Sequence, residues 1–170
     1  WVQVRTPKFK AWFGDWEAVR SQDRLDAMEP IKVRVPEEWR GLSTGELRQR
    51  VENSLLQLME SGEPLRHPEV GDVSVVRKGI KKALASSADP VKLRVLGDLR
   101  SAFESSFLAG TQPARGEAAN VLAYDKLLAR LEVGGSEVVA VFTVKRLTDG
   151  SQFYNTVTLE DGQNKTPVAS

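Results

Sequence analysis

The sequence predicts an α+β fold in which N-terminal helices pack on a twisted antiparallel sheet that ends in a C-terminal three-stranded meander. Two dipeptides, Gly134-Gly135 and Asp149-Gly150, are hairpin signals of the primed-turn type, and they separate runs that suit strands. Helix signals come earlier in the chain: capping residues, proline at the first helical position and apolar residues at helical spacing. Because the helix signals precede the meander, we expect the helices to cover one face of the sheet.

The chain before the sheet begins with a leader. Residues 1–30 read as a leader helix and linker, and residues 31–170 as a single α+β domain. Thr6 and Pro7 supply the hydroxyl cap and the first-turn proline of the leader helix, and residues 20–30 form the linker. The helix gathers four aromatic side chains on one face: Phe9, Trp12, Phe13 and Trp16. We interpret this stripe as packing.

Three further elements lead to the sheet. Residues 31–35 alternate apolar and basic side chains and predict a short edge strand. Ser43 and Glu46 form a capping box that begins an amphipathic helix. Asp89 caps a later helix whose apolar stripe covers the sheet, with Leu96, Leu99, Phe103 and Phe107. Loops are expected over two ranges, 62–72 and 110–116.

The register of the meander follows from the two tight turns. Counting outward from each turn assigns a partner to every strand residue, because the loop length fixes the pairing. The expected pairs are Lys145 with Tyr154, Thr143 with Thr156, Phe142 with Val157, Lys126 with Thr143, and Tyr124 with Lys145. The run 120–133 also permits a helix, and the Gly-Gly turn favours the strand.

Alternation of side chains divides the meander into an apolar face and a polar face. The apolar face, which must be covered, comprises Leu127, Leu131, Ala140, Phe142, Val144, Phe153, Val157 and Leu159. The polar face carries two rows, one of Lys126, Thr143 and Thr156 and one of Tyr124, Lys145 and Tyr154. The same residue types are common on an ordinary solvated sheet face, so the pattern alone leaves that alternative open.

The two polar rows combine ammonium, phenol and hydroxyl groups without a carboxylate. Metal-independent RNA cleavage needs cations for the phosphate and groups that move protons, so these residues are candidate catalytic side chains. We expect Lys126 and Lys145 to bind the scissile phosphate, and the tyrosines and threonines to orient or relay protons. Ordinary Lys and Tyr have a pKa of about 10, so neighbouring cations must lower one of these values for catalysis at neutral pH.

A basic stripe precedes the sheet. Between Ser74 and Arg100 the chain has seven basic and two acidic residues, inside a chain of net charge +1. Such a stripe is typical of phosphate recognition, and it is equally typical of a solvated helix face. We predict that the first part of the stripe, on a helix that follows a short strand at 73–76, contacts the RNA backbone through Arg77, Lys78, Lys81 and Lys82.

His67 carries the only imidazole of the chain. Because an ordinary imidazole titrates near neutrality, His67 in its predicted loop is an acid/base candidate, and it or Lys81 would complete the catalytic pair. A lone histidine is also commonly structural, so both interpretations stay open.

Composition limits the chemistry of the 170-residue chain. Without cysteine it has no disulfide and no Cys-based zinc site, and with one histidine it has no His-rich metal site. Composition leaves carboxylate-only binding of Mg²⁺ or Ca²⁺ open. For the site itself we predict no metal and no cofactor. No run approaches the roughly 20 apolar residues of a membrane helix. The chain opens on Trp1 without a signal peptide, so we expect a monomeric piece of a longer polypeptide.

Two stretches resemble known families. The tract TPKFKAWFGDW, from Thr6 to Trp16, is similar to a leader found in phage polyvalent proteins and bacterial polymorphic toxins. The stretch from Val73 to Leu159 resembles the barnase, EndoU, colicin and RelE-like (BECR) ribonucleases. It is carried by VSVVRKGIKK, a helix rich in Leu and Phe, and a meander ending DGSQFYN. This second resemblance covers roughly half of the chain and is one of pattern, without a diagnostic motif.

The resemblance implies a metal-independent RNA endonuclease toxin domain, most typically a tRNase. Such domains belong to contact-dependent growth inhibition and related effectors, which are secreted or cell-surface proteins that act in the cytoplasm of a target bacterium. The implied partners are RNA, especially tRNA, and a cognate immunity protein. This chain lacks the two histidines of EndoU-like members, so we expect Lys, Tyr and Thr side chains to take the acid/base roles. The alternatives are an ADP-ribosyltransferase-type toxin that would use NAD, suggested by the leader, and a non-enzymatic module of a phage or toxin polyprotein.

Overall fold

The protein folds as helices packed on a mixed sheet, seen in a computed structural model that describes residues 15–85, 89–116 and 120–161. Within these residues the helices are α1 (Asp15–Ala27), α2 (Thr44–Glu60), α3 (Arg77–Ala85), α4 (Pro90–Gly97) and α5 (Leu99–Glu104). The strands are β1 (Ile31–Lys32), β2 (Leu65–His67), β3 (Gly71–Val73), β4 (Phe107–Pro113), β5 (Val121–Val133), β6 (Ser136–Leu147) and β7 (Gln152–Asp161). The predicted α+β class and its C-terminal meander are confirmed.

The main sheet is ordered β1-β5-β6-β7, and β4 pairs with the same edge of β5 as β1. β1 runs parallel to β5, with Ile31 opposite Leu131, so the sheet is mixed where an antiparallel one was expected. β4 runs antiparallel to β5, from the pair Phe107 and Leu128 to the pair Pro113 and Ala123. The long strand β5 therefore has β6 on one side and two short strands on the other.

β4 replaces the loop predicted over residues 110–116. Gly110 and Pro113 read as loop signals in the sequence, yet both lie in the strand. Proline is tolerated near the end of a strand, and a register shift between Leu108 and Gly110 accommodates the glycine. Residues 62–72, also predicted as a loop, contain β2 and lead into the hairpin with β3, in which Leu65 pairs with Val73.

The main core lies between one face of the sheet and helices α2 to α5. The ring of Phe103 from α5 packs edge-on against Phe142 of β6, with 5.4 Å between ring centroids. Both side chains are fully buried. On the opposite face α1 covers one end of the sheet, where Leu25 and Met28 contact a smaller apolar cluster of Phe107, Ala109, Leu128, Val139 and Val141. The polar rows lie at the other end of that face.

α1 extends through most of the predicted linker. The charged side chains of residues 20–27 led to the prediction of a linker. In the structure these side chains face outward, and Leu25 is buried against the sheet and stabilises the helix. Residues 1–14 and the side chain of Trp16 lie outside the described part of the chain, and so does the predicted aromatic stripe. The boundary at residue 30 stays a prediction.

Two of the predicted helix caps, Ser43 and Asp89, are confirmed, and the predicted cap at Thr6 lies outside the described residues. The Ser43 hydroxyl accepts from the Glu46 backbone N–H at 3.2 Å, and the Glu46 carboxylate accepts from the Ser43 N–H at 3.2 Å. The Asp89 carboxylate accepts from the Val91 N–H at 2.9 Å. These contacts begin α2 and α4.

The helix predicted from Asp89 to Phe107 is interrupted at Asp98. The Asp98 carboxylate accepts a hydrogen bond from the Arg34 N–H at 2.9 Å, which ties this break to the segment after β1. Beside it, a side chain on Gly97 would meet the Trp39 ring at 2.7 Å, so this close packing requires glycine. The chain resumes as α5, and Phe107 lies in β4. No helix in the described residues is long and apolar enough to cross a membrane.

Candidate functional site

A cationic groove lies at the open end of the sheet face, between α3 and the ends of β4 to β7. It consists of a larger cavity of about 440 Å³ and a smaller one of about 270 Å³, which share Tyr124 and Asn155. Its cationic side chains are Lys78, Lys82, Arg115, Lys126 and Lys145. In the part of the chain that the structure describes, no carboxylate lines either cavity. We call this surface the cationic groove.

The first predicted row forms the floor of the smaller cavity. Lys126 pairs with Thr143, and Thr143 with Thr156, as the turn geometry predicted. The Lys126 Nζ donates to the Thr143 Oγ1 at 3.0 Å. Lys126 is 8% exposed and Thr143 5%, although both belong to a face that α1 leaves open at this end. The ammonium group is therefore held in place by the sheet.

Burial and charge both act on the Lys126 ammonium group. Loss of solvent lowers the pKa of Lys126 below its ordinary value, and the positive charge of Lys82 lowers it further. The direction matches the expectation that clustered cations lower the pKa of one lysine. Lys126 therefore releases its proton more readily than an exposed lysine does, which suits a group that exchanges protons with a substrate.

The second predicted row differs from its prediction by one residue. Tyr124 pairs with Lys145 as expected, but Lys145 pairs with Phe153, and Tyr154 pairs with Val144. The register shifts after the Thr143 pair because Asn155 is an extra residue in β7, a β-bulge. A shift of one residue exchanges the two faces of a strand. The assignments of Tyr154 to the polar row and of Phe153 to the apolar face are both wrong.

Tyr154 belongs to the main core. It is 2% exposed, and its hydroxyl is buried without a hydrogen-bond partner among the described residues. Burial raises the pKa of the Tyr154 phenol well above its ordinary value. Although part of the residue lines the larger cavity, the phenol cannot serve as a proton carrier on the polar face. The partly buried Phe153 takes its place in the row.

Helix α3 forms one wall of the groove because it approaches β7 closely. A side chain on Gly79 would lie 2.9 Å from the Tyr154 backbone oxygen, so the contact requires glycine. Hydrogen bonds of 3.0 Å and 2.9 Å join Ser74 to Gln152 and Tyr154 just before the helix. These contacts fix the position of α3 against the edge of the sheet.

The predicted basic stripe is divided by this docking. Lys78 and Lys82, one helical turn apart, line the larger cavity, whereas Arg77 and Lys81 line neither cavity. All four side chains are exposed. The structure thus brings two of the four predicted RNA-binding residues to the groove, and it leaves an exposed basic residue beside each of them, Arg77 beside Lys78 and Lys81 beside Lys82.

His67 lies away from the groove, in strand β2, and is 4% exposed. Its Nε2 is 2.7 Å from the Ser106 carbonyl oxygen, and its Nδ1 accepts from the Glu69 N–H at 3.0 Å. This pairing places the ring proton on Nε2. The ring also packs edge-on against Phe103 at 5.5 Å. Both nitrogens are thus occupied by the backbone, and the loop predicted around His67 is a strand.

An ion pair between the buried Asp125 and the partly exposed Arg146 lies on the opposite face of the strands that carry Lys126. The Asp125 carboxylate accepts from Arg146 at 3.2 Å and 3.0 Å and from the Thr111 hydroxyl at 2.6 Å. These bonds join β4, β5 and β6 beneath the groove. The acidic neighbour of Lys126 in sequence is therefore turned away from the groove and neutralised by Arg146.

Sequence reasoning missed several groove residues: Gln112, Arg115, Phe153 and Asn155. Gln112 lies in β4 and Arg115 just after it, in a segment that was predicted as a loop. Phe153 and Asn155 reach the groove because of the β-bulge. The Phe-Tyr pair in the sequence was a usable signal, since either ring could have faced the core. Across the described ranges no group of three or more His, Cys, Asp or Glu side chains is arranged to hold a metal ion.

Comparison with known families relates this chain to one of them. The model of the large polyvalent protein-associated domain 3 family matches residues 43–154, about two thirds of the chain, from the cap of α2 into β7. Comparison with curated proteins and with solved structures finds no match. The family match supports the likeness to polyvalent proteins and names neither a toxin nor a ribonuclease. The chain belongs to the large polyvalent protein-associated domain 3 family.

Proposed function

We propose that this domain of a polyvalent protein binds RNA in the cationic groove and cleaves it there without a metal ion. One observation carries the proposal: five cationic side chains line the groove, and its described lining contains no carboxylate. A surface of this kind attracts a phosphate backbone, because each neutralised phosphate releases a counterion and no fixed negative charge opposes binding.

In this proposal Lys126 removes the proton from a ribose 2'-hydroxyl. The freed oxygen attacks the adjacent phosphorus, and the bond to the 5'-oxygen breaks as that oxygen takes a proton from Lys145. The products are a 2',3'-cyclic phosphate and a 5'-hydroxyl. Thr143 supports Lys126 as base, since its hydroxyl holds the Nζ at 3.0 Å, and the lowered pKa of Lys126 makes its neutral form accessible.

The remaining groove residues bind and orient the substrate. The protonated Lys126 and the other cations stabilise negative charge on the phosphate oxygens as the transition state forms. Lys78, Lys82 and Arg115 contact flanking phosphates from the groove walls. Tyr124 and Thr156 orient the ribose and the phosphate through their hydroxyl groups.

The direct test incubates the domain with total tRNA in EDTA and identifies the product ends. We expect cleavage with 2',3'-cyclic phosphate ends, and its loss in Lys126→Ala. If the RNA is bound but stays intact at high protein concentration, the cleavage proposal is rejected and only the RNA-binding proposal remains.

A matched lysine pair tests the location of binding. We expect Lys82→Ala to weaken RNA binding and to lower the salt dependence by about one phosphate contact, and Lys81→Ala to change neither. Both lysines are exposed and lie on the same helix, but Lys82 alone of this pair lines the groove. Equal effects of the two substitutions would place binding elsewhere.

A non-enzymatic RNA-binding module is the second candidate function. It is favoured by one observation: Tyr154 and His67, both predicted as catalytic, lie outside the polar rows, one in the core and one in β2. This candidate predicts the same RNA affinity and the same effect of Lys82→Ala, without cut RNA. A labelled NAD assay separates the ADP-ribosyltransferase alternative, which predicts transfer of the label.

The toxin role and its immunity protein extend the cleavage proposal. The domain would act in the cytoplasm of a target bacterium, and an inhibitor with acidic residues would cover the groove by charge complementarity. Expression in bacteria is then expected to arrest growth, and expression of Lys126→Ala to be harmless. Harmless expression of an active ribonuclease would remove the toxin role.

A further inference from the structure

We propose that the cationic groove selects single-stranded RNA, because its larger cavity takes one unstacked base and its smaller cavity the adjacent phosphate. This inference rests on the proposed RNA binding and adds the class of RNA that is bound. It follows from the different linings of the two cavities and from the one-residue shift in β7.

The larger cavity is suited to a planar apolar group. Besides part of the buried Tyr154, its lining has the aromatic side chains of Tyr124 and Phe153 and the aliphatic ones of Val76, Val121 and Leu147. Its volume of about 440 Å³ falls in the range of sites that enclose small molecules, about 300–1,000 Å³. The cations of this cavity are Lys78, Lys82 and Lys145. A nucleotide presents the matching combination of an apolar ring and a negative charge.

The aromatic side chains occupy defined positions on the sheet. Phe153, Lys145 and Tyr124 form one row across β7, β6 and β5, so one ring lies on each side of the lysine. Adjacent strands are separated by about 4.8 Å, which places the two aromatic positions about 10 Å apart. Phe153 is only partly buried although it is apolar, and it lies beside a cation instead of in the core. Aromatic residues in a basic groove are the feature that binds unpaired bases by stacking.

The smaller cavity has a polar lining of a different kind. Arg115 and Lys126 supply charge, and Gln112, Thr143 and Thr156 supply amide and hydroxyl groups. These groups suit a phosphate and a ribose. Asn155, the bulged residue, lines both cavities and therefore lies where a base and its phosphate would meet. An amide side chain at this junction can hydrogen-bond to a base edge.

This division excludes a duplex as the preferred ligand. In an RNA helix the bases are paired and stacked, so no base can enter the larger cavity without being extruded. A single strand offers its bases at no such cost. Duplex RNA keeps only the phosphate contacts, which do not require Tyr124 or Phe153.

Binding is tested with labelled 2'-O-methyl oligomers of equal length, which resist cleavage: a single strand, its duplex, and a single strand with abasic positions. We expect the single strand to bind tightest at fixed salt. Phe153→Leu should weaken the single strand about fivefold or more, since base stacking on an aromatic ring is lost, and leave the abasic strand and the duplex unchanged. Lys82→Ala should weaken all three oligomers alike.

The outcomes separate this inference from the proposed function. If no oligomer binds at low salt, both fail. If all three bind equally, or if Phe153→Leu weakens the abasic strand as much as the normal one, RNA binding stands and base selection is overturned. Thermal unfolding checks that Phe153→Leu is folded, and Tyr124→Leu serves as the second variant if it is not.

Discussion

The two ends of one sheet face have opposite roles, although the same strands β5 and β6 build both. At one end Leu128, Val139 and Val141 are buried beneath α1. At the other end Lys126, Thr143 and Lys145 lie in the cationic groove. Leu128 and Lys126 are neighbours on the same face, two residues apart. Both ends therefore have the same strand backbone. Side chains only two positions apart determine whether that part of the face is covered by a helix or is left open to a ligand.

The covered end should carry stability and little of the binding. Leu128 is fully buried, so Leu128→Ala is expected to lower the free energy of unfolding by about 2–4 kcal/mol through lost burial and a cavity. Urea denaturation measures the loss. Leu122, which is 48% exposed on the same strand, is the control, and Leu122→Ala should change stability little. A loss of RNA affinity equal to that of Lys82→Ala, in folded Leu128→Ala, would contradict the separation of the two ends.

The groove end depends on the docking of α3. Gly79→Ala places a methyl group against the Tyr154 carbonyl oxygen, so we expect α3 to shift, with a loss of about 1–3 kcal/mol in stability and weaker RNA binding. Gly45→Ala is the matched control, since a side chain at that helical position meets nothing within 4 Å. It should be neutral or stabilising, because alanine favours helix over glycine. Unchanged RNA affinity in Gly79→Ala would show that the position of α3 is unimportant.

Lys126 makes the groove end sensitive to alkaline pH. Because its pKa is lowered in the folded protein, the unfolded chain binds more protons between that value and 10.5, and stability rises with pH across this window. RNA prefers the charged lysine, so affinity should fall as the pH rises through the lowered pKa of Lys126 in the folded protein. The loss of RNA affinity at high pH that is due to Lys126 cannot exceed the loss caused by Lys126→Ala. Arginine stays charged, and Lys126→Arg should remove this part of the pH dependence; an identical profile in both proteins would assign it to another group.

The smallest effect is expected at Tyr154. Its buried hydroxyl has no partner among the described residues, so Tyr154→Phe should leave stability unchanged or raise it by up to about 1 kcal/mol. RNA binding and cleavage should be unaffected, because the phenol is in the core. A large loss of cleavage in a folded Tyr154→Phe protein would return this residue to the catalytic site.

The tight turns explain how far the sequence could predict the sheet. Gly134, Gly135 and Gly150 have φ of 57°, 86° and 92°, so both dipeptides lie in turns. The Gly-Gly turn has two residues as predicted, whereas Leu147 and Ser151 close the second turn around three residues. The whole row of Lys126, Thr143 and Thr156 follows correctly. The pairs nearest the second turn, such as Lys145 with Phe153, are therefore one residue out of step with the prediction, and the bulge at Asn155 restores the predicted register from Thr156 onward.

The failures have tertiary causes. Ser74 pairs with β7 and Gly79 packs on Tyr154, and these contacts between distant segments lie beside the bulge. No local signal in the sequence reveals them. β4 was missed because glycine and proline suggested a loop, and α1 was missed because its charged residues hid the buried Leu25. The classes of elements were therefore predictable, and the membership of the groove was predictable on β5 and β6, which the Gly-Gly turn joins in the expected register.

The second turn and the β-bulge compensate for each other. Leu147 and Ser151 close a turn of three residues, which moves the pairing by one position, and Asn155 moves it back before Thr156 meets Thr143. A two-residue turn without the bulge would use the same chain length, but it would bring the phenol of Tyr154 opposite Lys145 and direct the phenyl ring of Phe153 to the interior. One extra residue in a turn thus separates a surface that suits base stacking from one that suits proton transfer.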